Sequence, residues 1–297
     1  MSTLGHLEAL ESEAIGIMRD GFAEARNPVI LFSGGKDSTV LAHICLRAFF
    51  PSKPAIPLLH VDSTWEFSEV LAFRDAFAAR HGFQLEIHAN EEGRRLGLNP
   101  FEHGDSYTLR MRTEALKQAL DKGGYDVIFG GARRDEEASR AKERVVSVRN
   151  PGHVWEPRQQ RPELWSCYNW RLGPGQTARV YPLSNWTESD LWAYIAWRRI
   201  ELAPLYLAAD RPVVERSGQL IVVDEPARMH WAAGEVARTE RVRFRTLGCW
   251  PVTAAVRSEA DTLEAAILET MQSRSSERSG RVSDGASLER HKREGYF

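Results

Sequence analysis

The residues best suited to do chemistry stand together in one stretch, Ser33-Gly34-Gly35-Lys36-Asp37-Ser38. An apolar run at 28–32 precedes it and an apolar-periodic segment at 39–50 follows it, which predicts a strand, a glycine turn and a helix start. Consecutive glycines allow positive φ and a close approach of the backbone to a ligand, and the first N–H groups of a helix point outward. The helix dipole and the Lys36 ammonium act in the same direction, so the stretch predicts a site for phosphate or pyrophosphate. The alternative is a tight turn with a surface lysine and an aspartate cap.

The loop does not follow the Walker A pattern, because Ile30 stands where its first glycine belongs and Asp37 follows the lysine. It resembles instead the PP-loop of the ATP pyrophosphatase superfamily. Members of that superfamily cleave ATP between the α and β phosphates and use the loop to hold the departing pyrophosphate. The resemblance therefore implies transfer of an adenylyl group rather than of a phosphoryl group.

A second group of polar side chains follows the predicted strand at 56–61. Asp62 and Ser63 come directly after this strand, so they are expected at the same edge of the sheet as the glycine loop. We predict that they contact the adenosine of a nucleotide. The alternative, which is compatible with the first, is that one of them caps a helix that starts near Glu66.

A third group follows the predicted strand at 127–129, where Gly130 and Gly131 precede Arg133 and Arg134. Cations at the N-terminus of a helix are mildly unfavourable, so an anionic ligand explains these arginines better than helix stability does. We predict that they bind an anion. Farther along, the spacings from Glu137 to Arg140 and from Arg140 to Arg144 fit a solvated, salt-bridged helix, which is the better explanation for Arg144 and the glutamates.

A fourth group is the arginine-rich segment at 241–251. If this segment is a strand, Arg241, Arg243 and Arg245 share one face, where they could close over triphosphate or sulfate. The alternative is an exposed edge strand protected by its charges.

The elements that must position these residues alternate along the chain. Helices are predicted at 5–25, 66–80 and 108–122, and further strands at 84–88 and 180–183. This alternation predicts an α/β fold with a mostly parallel sheet, helices on both faces and ligands at the carboxyl ends of the strands. The segment at 145–178 has no regular pattern and is predicted to line or cover the site, and 187–190 is predicted to open a helix with a capping box.

We expect two domains, at 1–200 and 201–297. The second contains predicted short strands at 219–223 and 242–246, a helix at 263–271 and a polar tail at 273–285. This C-terminal region is expected to close over the site or to contact a partner.

Composition narrows the function classes. The 297 residues are 42% hydrophobic and 27% charged with a net charge of −2, so neither a membrane span nor a nucleic-acid partner is expected. The N-terminus has no secretion signal, and we predict a cytoplasmic location. Cys45, Cys167 and Cys249 are far apart and form no C-x-x-C pair, so no metal site built from protein side chains is predicted.

Several motifs together resemble the small, catalytic subunit of heterodimeric bacterial sulfate adenylyltransferases over nearly the whole length. They are NPFEHG at 99–104, GGARRDEEASRAKER at 130–144, QRPELW at 160–165, YPLSNWT at 181–187, PLYLAA at 204–209, RFRTLGCWP at 243–251 and REGYF at 293–297. The resemblance implies that a sulfate oxygen attacks the α-phosphorus of ATP, with Mg²⁺ on the phosphates, to give adenosine 5′-phosphosulfate and pyrophosphate. It also implies a large GTPase subunit as partner.

On this resemblance the residues at 33–38, Lys36 above all, hold the β and γ phosphates. Candidates for sulfate and the pentavalent phosphorus are Arg133, Arg134, Arg243 and Arg245. The sequence departs from the family pattern at Gly34, where a larger residue is usual, and after His103-Gly104, where a further histidine is common. These departures fit a specialised paralogue.

Two alternatives stay open at this point. One is another PP-loop enzyme that transfers an adenylyl group to a different anion, and the other is a nucleotide-binding regulatory subunit of a GTPase complex. A reductase of phosphoadenylyl sulfate is disfavoured, since its chemistry requires a C-terminal Glu-Cys-Gly nucleophile and this chain ends in Glu-Gly-Tyr-Phe.

Overall fold

The structure is a computed structural model that describes residues 3–136, 138–165 and 167–272. The polar tail predicted at 273–285 and the terminal motif at 293–297 lie outside these residues. Within them, no helix combines the length and the apolar character needed to cross a bilayer.

The first sheet has six strands in the order β3-β2-β1-β4-β6-β5. Their bounds are β1 Pro28–Leu31, β2 Leu58–Val61, β3 Leu85–His88, β4 Val127–Phe129, β5 Val146–Arg149 and β6 Thr177–Val180. All neighbours pair in parallel except β5 with β6. Because the chain proceeds outward from β1 to β3 on one side and returns to β4 on the other, the strand order reverses between β1 and β4. Ligands of open α/β sheets bind at the carboxyl ends of the strands at such a point.

Helices cover both faces of this sheet, which confirms the predicted α/β class. Their bounds are α1 Thr3–Glu24, α2 Lys36–Phe49, α3 Ser68–His81, α4 Glu91–Arg95, α5 Pro100–Thr108, α6 Ala115–Gly123, α7 Ala138–Ala141, α8 Glu188–Arg198 and α9 Leu263–Gln272. α1, α2, α3 and α8 pack on one face, and α6 packs on the other through Leu116 and Leu120. The capping box predicted at 187–190 is present, with Thr187 and Asp190 bonded reciprocally.

The predicted irregular segment at 145–178 is wrong at its start, because β5 lies there. Its four residues are buried although two are polar, since Ser147 and Arg149 both bond Glu143 at 2.5 and 3.1 Å. A strand whose polar side chains are buried by pairing with one another lacks the alternation that sequence reading depends on.

The predicted helix at 108–122 is also more complex than expected. A π-helix at Leu109–Glu114 separates α5 from α6. Such wide turns occur frequently at functional sites.

The second sheet has four antiparallel strands in the order β10-β9-β7-β8. Their bounds are β7 Ala209–Arg216, β8 Gln219–Val222, β9 Arg238–Arg243 and β10 Val256–Arg257. Sequence reasoning did not predict β7, and it predicted the start of β9 four residues too late, at 242 instead of 238. It also allowed an edge strand here, which is wrong, since β9 lies between β7 and β10. The division into two domains at residue 200 stays a prediction.

A buried carboxylate on α1 joins the helices that pack behind the loop at 33–38. Glu11 accepts hydrogen bonds from Arg47 Nε of α2 at 3.2 Å, from Tyr194 Oη of α8 at 2.7 Å, and from Arg198. Burial alone would raise the pKa of Glu11, but the bonds from Tyr194 and Arg198 outweigh it and hold the pKa below its usual value.

We expect Glu11→Ala to lower the free energy of unfolding by about 3 kcal/mol, because buried donors lose a charged acceptor. Urea denaturation at neutral pH measures the change, and Glu8→Ala, an exposed position on the same helix, is the matched control. Since the folded-state pKa is depressed, the stabilisation is present above the unfolded pKa and is lost as the pH falls. The difference in the free energy of unfolding between wild type and Glu11→Gln should therefore become smaller as the pH falls. A difference that stays constant with pH would contradict the depressed pKa of Glu11.

Candidate active site

The loop after β1 leads through two glycines into the N-terminus of α2. Gly34 has φ +77°, and Gly35 is the extended N-cap without a side-chain hydrogen bond to the helix. Ser38 Oγ donates to the Gly35 carbonyl at 2.9 Å and lies 3.2 Å from Ser33 Oγ, which closes the loop on itself. The N–H groups of the first helical turn have no partner within a helix and carry its positive dipole end.

Three charged side chains hold this loop in place. Asp37 pairs with Lys36 Nζ at 3.2 Å and with Arg133 Nε at 2.6 Å, and the side chains of both cations are almost fully buried. Burial opposes ionisation of Asp37, but the two cations outweigh it and hold the pKa of its carboxyl well below the usual range. Arg133 also lies 3.7 Å from Asp135, measured from Nη1 to Oδ2, so the two cations are held by carboxylates on both sides of the contact.

The glycine turn after β4 approaches the loop at backbone distance. A Cβ on Gly131 would lie 2.9 Å from the Asp37 carbonyl carbon and 3.1 Å from the Ser38 nitrogen. Only glycine fits here without a shift of backbone. The two glycine turns that were predicted to share one edge of the sheet are therefore in direct contact.

A cavity of about 230 Å³ opens beside the loop. One wall is an apolar slot formed by aliphatic side chains of β1, β2 and α6, namely Leu31, Leu59, Val61 and Leu116. The cavity is also lined by Tyr206, whose hydroxyl accepts the Lys36 N–H at 2.8 Å, and by the segment 246–249 that follows β9. A flat, uncharged ring fits the slot while a charged group fits the loop, which are the two ends of a nucleotide.

Six of the predicted site residues line this cavity and eight do not. The lining ones are Ser33, Gly35, Lys36, Asp37, Ser38 and Gly131; the others are Gly34, Asp62, Ser63, Gly130, Arg133, Arg134, Arg243 and Arg245. Arg133 acts on the loop through Asp37, as described above. Binding roles for all these residues stay predictions.

Asp62 and Ser63 both make hydrogen bonds with residues close to them in the sequence. Asp62 Oδ1 accepts the Thr64 N–H at 2.7 Å and lines a neighbouring open pocket, while Ser63 is fully buried. The helix-cap alternative is wrong, because α3 begins at Ser68 and its N-cap Phe67 makes no side-chain bond.

The remaining predicted arginines are paired with side chains of other elements. Arg134 bonds Asn185 at 2.6 Å and Glu163 at 3.4 Å. The helix that was expected to follow Arg134 is only a 3₁₀ turn at Arg134–Glu136 and then the four residues of α7. Such short helices have a weak dipole, so the dipole gives little reason to expect an anion beside these arginines.

Arg243 and Arg245 brace the segment after β9 against the helices. Arg243 pairs with Glu269 of α9 at 3.1 Å and Arg245 with Glu188 of α8 at 3.3 Å. Arg243 is fully buried, so the cationic strand face expected from the sequence is not presented to a ligand.

Sequence reasoning missed several lining residues. Arg112 lies in the π-helix, Arg140 pairs with Glu136 at 3.3 Å rather than lying in solvent, and Glu66 was treated only as a helix start. No motif marks Arg112, because a π-turn is a product of packing. Among residues 3–136, 138–165 and 167–272, no cluster of three His, Cys, Asp or Glu could hold a metal ion.

Comparisons with known proteins agree with this geometry. The profile of the phosphoadenosine phosphosulfate reductase domain matches residues 27–255. The chain is 56% identical over 300 residues to sulfate adenylyltransferase subunit 2 of Acinetobacter baumannii (strain AYE), covering 100% of this chain and 98% of that protein. It is 54% identical to the subunit 2 of Mesorhizobium japonicum, with 99% of each covered.

One solved structure shows the same fold at low identity. It is the Candida glabrata FMN adenylyltransferase in complex with FMN and the ATP analogue AMPCPP, with a TM-score of 0.50, 12% identity, and 76% of this chain and 72% of that chain covered. This likeness confirms the predicted α/β fold.

We expect Gly131→Ala to weaken the binding of inorganic pyrophosphate by about tenfold, a loss of about 1.4 kcal/mol, because the added Cβ displaces the Asp37 backbone. Isothermal titration with pyrophosphate measures the change. Gly16→Ala on α1, where a Cβ meets nothing within 4 Å, is the matched control and should leave binding unchanged. Equal affinity of the two variants would contradict the close packing of the turns.

Proposed function

This chain belongs to the family of the phosphoadenosine phosphosulfate reductase domain and, within it, to the sulfate adenylyltransferase subunit 2 proteins, and we propose that it transfers AMP from ATP to sulfate. The products are adenosine 5′-phosphosulfate and pyrophosphate, which makes the chain a nucleotidyltransferase. The end-to-end match to the subunit 2 relatives carries this proposal.

The loop supports the proposed chemistry by holding the leaving group. The first-turn amides of α2 beyond Lys36, whose own N–H is bonded to Tyr206, and the hydroxyls of Ser33 and Ser38 bind the β and γ phosphates. Lys36 and Arg133 offset the charge of these phosphates. Pyrophosphate leaves readily once its charge is neutralised, so positioning and electrostatic stabilisation carry most of the catalysis.

The acceptor needs cations rather than a base. Sulfate is already an anion, so no proton has to be removed from it before its oxygen attacks the α-phosphorus. Arg112 and Arg140 lie in the cavity wall, where their charge attracts sulfate to the α-phosphate. The slot of Leu31, Leu59, Val61 and Leu116 receives the adenine, in place of a site at Asp62.

Magnesium enters the proposal as part of the substrate, Mg·ATP. The carboxylates that line the cavity, Asp37, Glu66 and Glu136, do not form a metal-binding cluster among the described residues. An ion held mainly by phosphate oxygens and water agrees with the coordination that Mg²⁺ prefers.

Reduction of a sulfonucleotide fits the chain poorly despite the name of the domain. Cys249 is the one cysteine that lines the cavity within the described residues, and its sulfur lies 3.0 Å from the buried Ser63 hydroxyl. Cys45 is buried, and burial raises the pKa of its thiol to about 12, which removes the reactive thiolate.

The proposal includes a partner. The relatives are named as subunit 2 of an enzyme, which supports a second subunit for this chain. Formation of the phosphosulfate anhydride is uphill, and the chain has no Walker A sequence of its own. We therefore assign the coupling to a GTPase large subunit and place the complex in the cytoplasm.

We expect Lys36→Ala to lower sulfate-dependent ATP–pyrophosphate exchange by at least about a hundredfold, because the leaving group loses its buried cation. The fold should be retained, since Asp37 keeps Arg133 as its partner; circular dichroism and thermal melting check this. Lys53→Ala, an exposed lysine, is the matched control.

The same assay, run with and without the GTPase subunit and GTP, tests the acceptor and the partner. Exchange that requires sulfate and rises with the partner supports the proposal. Pyrophosphate release that ignores sulfate would point to another adenylyl acceptor, and near-normal exchange in Lys36→Ala would overturn the role of the loop.

A further inference from the structure

We propose that Glu66 recognises a ribose hydroxyl of the bound nucleotide and so selects ribonucleotides over deoxyribonucleotides. The inference rests on the proposed function only in taking a nucleoside triphosphate as the ligand of the cavity. It assigns a role to a side chain that lines the cavity and that the adenylyl transfer described above does not use.

The backbone around Glu66 is fixed on both sides. Trp65 and Phe67 are buried in the second core, where Trp65 lies 5.1 Å from Trp250 and Phe67 lies 4.9 Å from Phe244, measured between ring centroids. The Trp250 N–H also donates to the Trp65 carbonyl at 3.0 Å. Because its neighbours are anchored, Glu66 holds one position in the cavity wall.

One oxygen of this carboxyl is bonded and the other is not. Oε1 accepts the Ser63 N–H at 2.9 Å and the Ser63 hydroxyl at 2.5 Å. Oε2 is shielded from water and has no hydrogen-bond partner among the described residues. A buried polar atom without a partner costs about 1–3 kcal/mol, so the site is incomplete without a donor from a ligand.

A chain of hydrogen bonds fixes which oxygen of Glu66 accepts from the protein. Tyr107 Oη donates to Ser63 Oγ at 2.8 Å, so the Ser63 proton is directed to Glu66. Cys249 Sγ lies 3.0 Å from the same hydroxyl. Both donors of Ser63 thus occupy Oε1 and leave Oε2 without a donor among the described residues.

The chemistry of Oε2 selects a neutral donor. A carboxylate repels phosphate oxygens, which cannot donate to it, and accepts readily from a neutral hydroxyl. Ribose connects the phosphates at the loop to the base in the slot and carries neutral hydroxyls. A carboxylate that accepts from a ribose hydroxyl is the arrangement that dinucleotide-binding sheets use at the end of a neighbouring strand.

The test compares the affinities of ATP, 2′-deoxyATP and 3′-deoxyATP for the full chain by isothermal titration. We expect wild type to bind at least one deoxy analogue about tenfold more weakly than ATP. Glu66→Ala should bind ATP about tenfold more weakly, with the affinity for that analogue unchanged. Glu92→Ala, an exposed position, is the control and should keep the wild-type discrimination.

Glu66→Gln keeps the test usable if the alanine variant does not fold. Both Ser63 donors require the amide oxygen, so the amide nitrogen faces the cavity and cannot accept. Discrimination between ATP and the deoxy analogue should therefore shrink. The triphosphate of purine riboside has the ribose of ATP but lacks the exocyclic amine of adenine. Its binding therefore distinguishes a contact of Glu66 with the ribose from a contact with the base.

Equal binding of all three nucleotides by wild type would overturn the proposal, as would an equal loss for all three in Glu66→Ala. A Glu66 effect that disappears with the purine riboside triphosphate would assign the residue to the base instead. Failure of wild type to bind any of the nucleotides would overturn the proposed function, which separates the two outcomes.

Discussion

The buried ion triad of Lys36, Asp37 and Arg133 is the interaction on which the rest of the site depends. It joins the loop after β1 to the turn after β4, across the point where the strand order reverses. Two cations out of water are stable only with a well-placed carboxylate, and Asp37 can reach both because Gly131 lets the turns touch. The positions of both cations are therefore fixed by the protein itself.

The second sheet completes the cavity, because the segment 246–249 that follows β9 lines it. Its arginines, which looked like ligands in the sequence, pair with glutamates of α8 and α9 and fix this segment at the cavity. The same sheet anchors Trp65 and Phe67, and through them Glu66. Its contribution to the site is thus mainly one of position, since a side chain that is locked by packing loses less entropy when a ligand binds.

Much of the frame was predictable from short patterns. The strands around the loop, α1, α8 with its capping box and the α/β class followed from periodicity and cap residues, which act locally. β5, β7 and the π-helix did not. β5 buries Ser147 and Arg149 by pairing them with Glu143, and the π-helix is a turn that packing widens, so neither leaves a periodic signal.

The sequence by itself determined the phosphate loop, because glycine conformations, a helix N-terminus and an adjacent lysine are properties of consecutive residues. Through its resemblance to a family it also indicated adenylyl transfer to sulfate. Only the tertiary structure decided which charges pair with one another and which face the cavity. Arg133 meets Asp37 across 96 positions and Arg245 meets Glu188 across 57. Such partners are chosen by the packing of distant elements, and the strength of a charge depends on that burial.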